Sequence, residues 1–186
     1  MNVQRLEAEA IRDAILAASG SLNLKPGGPG IKPRIRPELL TASQRNKWPS
    51  IGREHDDHWR RSVYIYVKRQ LLLPMMELFD APTTTDSCAA RMASVVPTQA
   101  LLLMNDEFVE EQAGRLADRA IAEAGDDLPQ AVGRMFALAL SRPPDQARLG
   151  EAVAFVRARE SAGDRRGALA DLAHVLFNSS EFLYVE

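Results

Sequence analysis

Apolar residues recur three and four positions apart along much of the chain, which is the spacing of one helix face. From residue 97 onward this pattern predicts a bundle of four to five helices joined by short connections. Its clearest member runs from Leu128 to Ser141, with Asp126 or Asp127 suited to cap its first turn. Asp106 is suited to cap the helix before it. The pattern therefore predicts a mainly α fold.

An amphipathic pattern also opens the chain and predicts a helix from about Val3 to Ser19, which Gly20 would end. None of Ser, Thr, Asp or Gly stands before it as a cap, so we expect this helix to be cut from a longer one. The 186 residues would then form a single helical domain that is a fragment of a larger protein. An export signal, if there is one, would lie outside this chain.

Between the two helical regions the pattern changes. Residues 25–60 hold five of the eleven prolines and four of the eleven glycines, which predicts a long Pro/Gly-rich arm. Residues 62–68 then alternate apolar and polar side chains and predict a minor β element, paired with the arm or with another part of the parent protein. The predicted segments are an N-terminal helix (1–24), the arm (25–60), a strand and loop segment (61–96) and the helical bundle (97–186).

Charge is distributed unevenly although the net charge is only -2. Residues 25–69 carry eleven basic and four acidic side chains (+7), residues 70–186 carry ten and eighteen (-8), and residues 1–24 carry two and three (-1). We expect the basic arm to be neutralised by the acidic body and not to bind nucleic acid, which usually requires a basic excess over a whole domain. No apolar run approaches the ~20 residues of a membrane span, so we also expect none in this chain.

Several polar side chains around the predicted strand and downstream of it are candidates for ligand binding. Arg61 and Arg91 could clamp a carboxylate or phosphate, with Asp80 as a counter-charge. The alternative is that such arginines form internal ion pairs and cap carbonyl groups, which is more common beside an acidic body. The candidate set is Arg61, Tyr64, Lys68, Asp80, Arg91, Gln99 and Asn105, beside Arg60, Arg69 and Cys88.

Metal and thiol chemistry have weaker signals. His55 and His58 flank two aspartates, and imidazole and carboxylate groups suit divalent ions, but structural sites usually draw ligands from more than one segment. Cys88 is the single cysteine, so the chain has no CxxCH haem-attachment motif, and a small buried thiol is its default interpretation. His174 is expected to be a packed or surface histidine. We predict no metal and no cofactor in this chain.

Eight short segments together resemble a known family, and they follow its order over almost the whole chain. The segments are RLEAEAIRDAILAASGSL, GGPG, RRSVYIYVKR, LFDAP, SCAAR, VPTQALLLMND, LSRPP and LFNSSEFLYV. The resemblance is to the planctomycete surface domain one family, a domain of unknown function that ends large exported proteins associated with c-type cytochromes. The chain departs from the family at Met92, Ala93 and Ser94, where a second arginine and a Thr-Asn-Thr-Pro-like run are common.

This resemblance implies a location and a set of accompanying domains for the protein, but it implies no reaction. Family members carry a signal peptide, often a c-type cytochrome-like domain, and a second helical domain upstream. It implies a cell-envelope location, periplasmic or at the surface, with haem c in another domain and with the upstream helical domain and other envelope proteins as partners. The leading hypothesis is a non-catalytic structural or interaction domain. The alternative is an envelope enzyme or glycan-binding unit whose site the upstream domain completes.

Overall fold

The computed structural model of this chain describes residues 3–40, 48–69, 71–83, 87–160 and 163–185. It divides into two compact units. The first, here called the bundle unit, comprises Met1–Leu6, Ala14–Ser21 and Ala100–Glu186. The second, here called the arm unit, comprises Glu7–Asp13 and Leu22–Gln99.

The described residues are mainly helical, as the sequence predicts. The helices are α1 (Ala8–Ser19), α2 (Pro74–Leu78), α3 (Pro97–Asn105), α4 (Glu107–Ala124), α5 (Leu128–Leu140), α6 (Gln146–Arg159), α7 (Arg165–Phe177) and α8 (Ser180–Leu183). Two 3-10 turns lie at Pro37–Leu39 and Ser62–Tyr64. A small antiparallel sheet pairs β1 (Gln4–Arg5) with β2 (Tyr184–Val185). None of the described helices is both long enough and apolar enough to cross a lipid bilayer.

Helices α4 to α7 form the predicted four-helix bundle. Each packs on the next in sequence, and α4 also packs on α7, which closes the bundle. Its core is built from apolar side chains that recur at helical spacing, among them Leu116, Val132, Met135, Leu169 and Phe177. Burying such side chains contributes roughly 1.5–3 kcal/mol each, so this core dominates the stability of the bundle unit.

Aspartates begin the bundle helices. Asp106 accepts a hydrogen bond from the Phe108 amide (2.8 Å), and Asp127 accepts one from the Gln130 amide (3.0 Å). Asp145 and Asp164 cap α6 and α7 in the same way. The predicted caps of α4 and α5 are confirmed, and Asp127 rather than Asp126 fills the second.

Two predicted elements differ in the structure. The first helix begins at Ala8 and not near Val3, because Gln4 and Arg5 pair with β2 at the other end of the chain. The strand predicted over 62–68 is instead a 3-10 turn followed by isolated bridges at Ile65 and Lys68. The bridge at Ile65 is to Ile31, so the pairing partner within the arm is the one that forms.

Candidate functional site

Arg60 holds the glycine and proline loop of the arm in place. Its guanidinium donates to the carbonyl oxygens of Gly27 and Pro29, the latter at 2.5 Å, and pairs with Asp57 at 3.4 Å. The side chain is only 1% exposed, and its charged end lies 5.1 Å from the centre of the Tyr64 ring. One buried cation thus fixes two carbonyl groups of an exposed loop through charged hydrogen bonds.

The same loop lies directly against the segment that follows Arg60. The Ile31 amide donates to Tyr64 O (2.8 Å) and the Tyr66 amide donates to Ile31 O (2.7 Å). A side chain at Gly30 would place its Cβ 3.2 Å from Tyr66 Cβ, so glycine permits this close approach. The PGGPG sequence therefore positions Tyr66 and the residues next to it.

A second buried arginine was not predicted from the sequence. Arg12 of α1 is 1% exposed and donates to His58 O (2.8 Å), Arg60 O (3.1 Å) and Ser62 Oγ (3.3 Å). In the sequence, Arg12 lies four residues after Ala8 and four before Leu16, and this helical spacing between two apolar residues was the signal that could have identified it.

The two candidate clamp arginines are each engaged by acidic residues of α1 or by the residue just before it. Arg61 donates to Asp13 Oδ2 (3.1 Å), and Arg91 pairs with Glu9 (2.8 Å) and Glu7 (3.0 Å). The hydrogen bond to Glu9 is the main cause that raises the pKa of Arg91 above its ordinary value. The side chains of Arg61 and Arg91 are 59% and 37% exposed, so these pairs contribute little free energy but determine which groups face each other.

Asp80 and Gln99 join the loop before α3 to the end of α2. Asp80 has a left-handed backbone (φ 60°) and accepts from the Ser94 amide (2.8 Å) and the Ser94 hydroxyl (2.9 Å). Gln99 is buried and donates to Leu78 O (2.8 Å) and Ser94 O (3.2 Å). Ser94, one of the departures from the family pattern, therefore has a structural contact, whereas its neighbour Met92 is exposed.

The remaining candidates are placed separately. Tyr64 lies half-buried against Arg60, and Lys68 lies in a tight turn where its carbonyl accepts from the Leu71 amide (3.0 Å). Asn105, in the bundle unit, donates to Leu101 O of its own helix (2.7 Å). The contacts described for the candidates in the arm unit are with several different partners and do not define one shared ligand site.

A cavity of about 240 Å³ lies in the arm unit, between α2 and the segment that follows the 3-10 turn Ser62–Tyr64. Glu9, Ser62, Tyr66 and Thr83 supply its polar groups. Its remaining walls are apolar and consist of Ile65, Val67, Leu72, Leu73, Met76, Ala81 and Pro82. Ile65 and Val67, two apolar positions of the predicted strand, line this cavity, whereas Val63 is 71% exposed and lies outside it.

The bundle unit has a wider depression of about 360 Å³ between the start of α5 and the start of α7. Asp126, Glu160 and Arg165 lie on its wall, and Arg165 donates to Asp126 O (3.3 Å) and pairs with Glu160 (3.6 Å). The polar groups of this depression are thus joined by contacts between neighbouring helix ends.

His55 and His58 do come together, with ring centres 4.1 Å apart. The Nδ1 atom of His58 accepts from the His55 amide (3.3 Å), and that of His55 accepts from the Asp57 amide (3.4 Å). Burial, and then the charge of His55, lower the pKa of His58 below 6.5. Across the residues that the structure describes, no three His, Cys, Asp or Glu side chains are grouped for a metal ion.

Cys88 and His174 have local roles. Cys88 is exposed, contrary to the default of a buried thiol, and its Sγ donates to Ala90 O (3.2 Å). His174 of α7 lies 2.8 Å through Nε2 from Leu103 O, so it joins α7 to α3 within the bundle unit.

Comparison with known proteins gives a family and no closer relative. Residues 1–156 match the family described as "Protein of unknown function (DUF1553)", also called PSD1. No curated protein and no solved structure matches the chain. Because the match covers far more than half of the 186 residues, this chain belongs to the DUF1553 family.

Proposed function

We propose that this chain is a non-catalytic structural or interaction domain of a larger exported protein, and that it binds a preceding helical domain of the same polypeptide. One observation carries the proposal: the polar side chains best suited to bind a ligand have internal partners. Arg60 binds loop carbonyls, Arg61 binds Asp13, and Arg91 binds Glu7 and Glu9.

Exposed apolar side chains of the arm unit support an interaction role. Apart from Leu24 and Leu39, which lie singly, they fall in two short stretches, and clustered exposed apolar residues are typical of interaction sites. The stretches contain Val63, Tyr66 and Val67, and then Met92, Val95 and Val96.

The setting of this domain rests on the family resemblance. We place the parent protein in the cell envelope, at the periplasm or surface, with haem c carried by another domain and used in electron transfer. The single cysteine of this chain does not fit covalent haem attachment, which uses two cysteines and a histidine. Other envelope proteins are further candidate partners.

An envelope enzyme or glycan-binding unit remains the competing proposal. It requires Arg61, Tyr64, Asp80 and Arg91 to address one ligand together with the upstream domain. Their present contacts with Asp13, Arg60, Ser94 and Glu9 would then have to be exchanged for contacts with that ligand.

Hydrogen exchange of backbone amides tests the proposal. We expect amides near residues 63–67 or 92–96 to exchange at least ~10-fold more slowly in the intact parent protein than in this chain alone. Equal rates throughout the chain contradict an interaction domain. A catalytic activity of the intact protein that Arg61→Met and Arg91→Met abolish, without any change in exchange rates, favours the enzyme instead.

A further inference from the structure

We infer that the cavity of the arm unit is a docking pocket for one bulky apolar side chain, presented by an acidic polypeptide segment of the partner domain. The inference rests on the proposed function, because it names the surface and the chemistry by which the domain would bind. It is carried by the size of the cavity, the composition of its walls and the charges at its mouth.

The size of the cavity favours a single side chain. A volume of about 240 Å³ exceeds the roughly 150 Å³ of an apolar cavity that admits benzene. It is below the roughly 300–1,000 Å³ usual for small-molecule and cofactor sites. One Leu, Met or Phe side chain fits this range, as an anchor residue does at the centre of a protein interface.

The walls of the cavity favour an apolar occupant. Seven of its eleven lining residues are aliphatic, sulfur-containing or proline side chains, and two members of its outer edge, Tyr66 and Val67, are 43% and 47% exposed. Among the polar groups, the Glu9 carboxylate is already paired with Arg91 (2.8 and 3.1 Å). An occupant whose tip is uncharged therefore has the smallest desolvation cost when it enters the cavity.

The charges at the mouth favour an acidic flank on that occupant. Lys32 Nζ lies 4.9 Å from the centre of the Tyr66 ring, and Arg69 is exposed in the turn just after Val67. Lys68, which is half-buried, is a second cation in the same turn as Arg69. Opposite charges across an interface raise the association rate and fix the orientation of the bound segment.

The tight pairing of the arm makes this pocket pre-formed. Tyr66 is held by the hydrogen bond from its amide to Ile31 O (2.7 Å) and by the close approach of Gly30. The ring of Tyr66 also lies 6.5 Å from that of Trp48, whose Nε1 donates to Pro33 O (2.9 Å). A pocket that needs little ordering on binding retains more of the contact energy as affinity.

Fluorescence anisotropy with three labelled peptides tests the occupant. The probes are the nonapeptide DEDGFGDED, a copy with serine in place of phenylalanine, and a basic copy, KRKGFGKRK. We expect the first to bind this chain at least ~10-fold more tightly than either copy. No binding of the first peptide at millimolar concentration overturns the inference, and so does equal binding of the serine copy.

Two pairs of surface variants locate the site. Val67→Asp places a carboxylate at the cavity edge and should weaken binding of the acidic peptide at least ~10-fold, whereas Leu24→Asp, at an exposed apolar side chain outside the cavity, should change it less than about 2-fold. Arg69→Glu should weaken it ~3-fold or more and reduce its salt dependence, whereas Arg53→Glu should not. Equal effects within either pair contradict the placement.

The remaining outcomes separate this inference from the proposed function. Slow exchange in the intact protein at residues 92–96 but not at 63–67 keeps the interaction domain and overturns the pocket. Binding of decanoate, a small apolar carboxylate, that Val67→Asp weakens while the acidic peptide does not bind at all assigns the cavity to an amphiphile and overturns the inference. Val67→Asp in the intact protein should restore fast exchange at residues 63–67, while Leu24→Asp should not.

Discussion

At the scale of single residues, Arg60 is the most consequential side chain of the arm unit. It is buried and supplies hydrogen bonds to Gly27 O and Pro29 O while facing Tyr64. Arg60→Met keeps an apolar stem but leaves both carbonyls without this donor. We expect the free energy of unfolding to fall by about 2–4 kcal/mol, since a hydrogen bond to a charged group contributes about 1.5–3 kcal/mol and two are lost. Urea unfolding followed by circular dichroism measures this loss.

The neighbouring Arg61 provides the control for that measurement. Its side chain is 59% exposed and pairs with Asp13, so Arg61→Met should lower the free energy of unfolding by less than about 1 kcal/mol. If the two variants lose equal stability, then the contacts of Arg60 with the loop do not hold the arm unit together.

Gly30 is the second residue of the arm whose substitution should lower the stability of the chain. In Gly30→Ala the new Cβ would lie 3.2 Å from Tyr66 Cβ and 3.4 Å from Tyr66 Cα, so the arm would have to move from the segment it pairs with. We expect a loss of about 1–3 kcal/mol, the usual cost of overpacking a close contact. Thermal unfolding of Gly52→Ala is the matched comparison, because a Cβ at Gly52 meets nothing within 4 Å. That variant should be neutral or slightly stabilised.

At the scale of elements, the caps of the bundle helices make a direct test of how α5 begins. Asp127→Ala removes the acceptor for the Gln130 amide and should cost about 1 kcal/mol. Asp126→Ala, one residue earlier, keeps the cap and should change the stability by less than about 0.5 kcal/mol. Chemical denaturation of both variants measures the difference, and equal losses would assign the effect to charge near the helix end rather than to capping.

The helices of the bundle could be predicted because their signals are local. Apolar spacing, a capping aspartate and a proline in the first turn all lie within the fourteen residues from Asp127 to Leu140, and the observed α5 follows them. The strand over 62–68 could not be predicted in this way. Alternation alone does not provide a partner, and among the described residues of the arm it is Ile31 that pairs with this segment, so the segment folds as a 3-10 turn and a bridge.

Contacts between residues that are far apart in the sequence explain why the first helix is shorter than predicted and why the partners of the candidate arginines were not predicted. Gln4 and Arg5 pair with Val185 and Tyr184, which shortens the first helix although the local pattern continues through these residues. The partners of Arg61 and Arg91 lie 48 and 82–84 residues away, and no spacing rule identifies such pairs. The candidate cations were recognisable from residue type, but their partners became known only from the fold.

At the scale of the whole molecule, the two compact units differ less in net charge than the basic segment 25–69 and the acidic segment 70–186 of the sequence. With the seven residues Glu7–Asp13, the arm unit carries thirteen basic and ten acidic side chains (+3), and the bundle unit carries ten and fifteen (-5). The acids of this short stretch neutralise Arg61 and Arg91 within the arm unit. The arm unit keeps a small positive excess, and Lys32 beside Tyr66 and Arg69 after Val67 are the members of it that the inferred acidic segment would contact.

Stability of the chain should depend on pH between about 8 and 5.5, where carboxylates stay ionised and histidines titrate. Burial and the charge of His55 lower the pKa of His58 in the folded chain, so the unfolded chain takes up a proton first as the pH falls through 6.5. Stability is then fully present above that pH and decreases below it, until the folded His58 is protonated as well. His58→Gln should flatten the melting temperature across this interval, while His55→Gln, which removes the second cause only, should flatten it in part. A profile unchanged in His58→Gln would mean that another group controls the acid response.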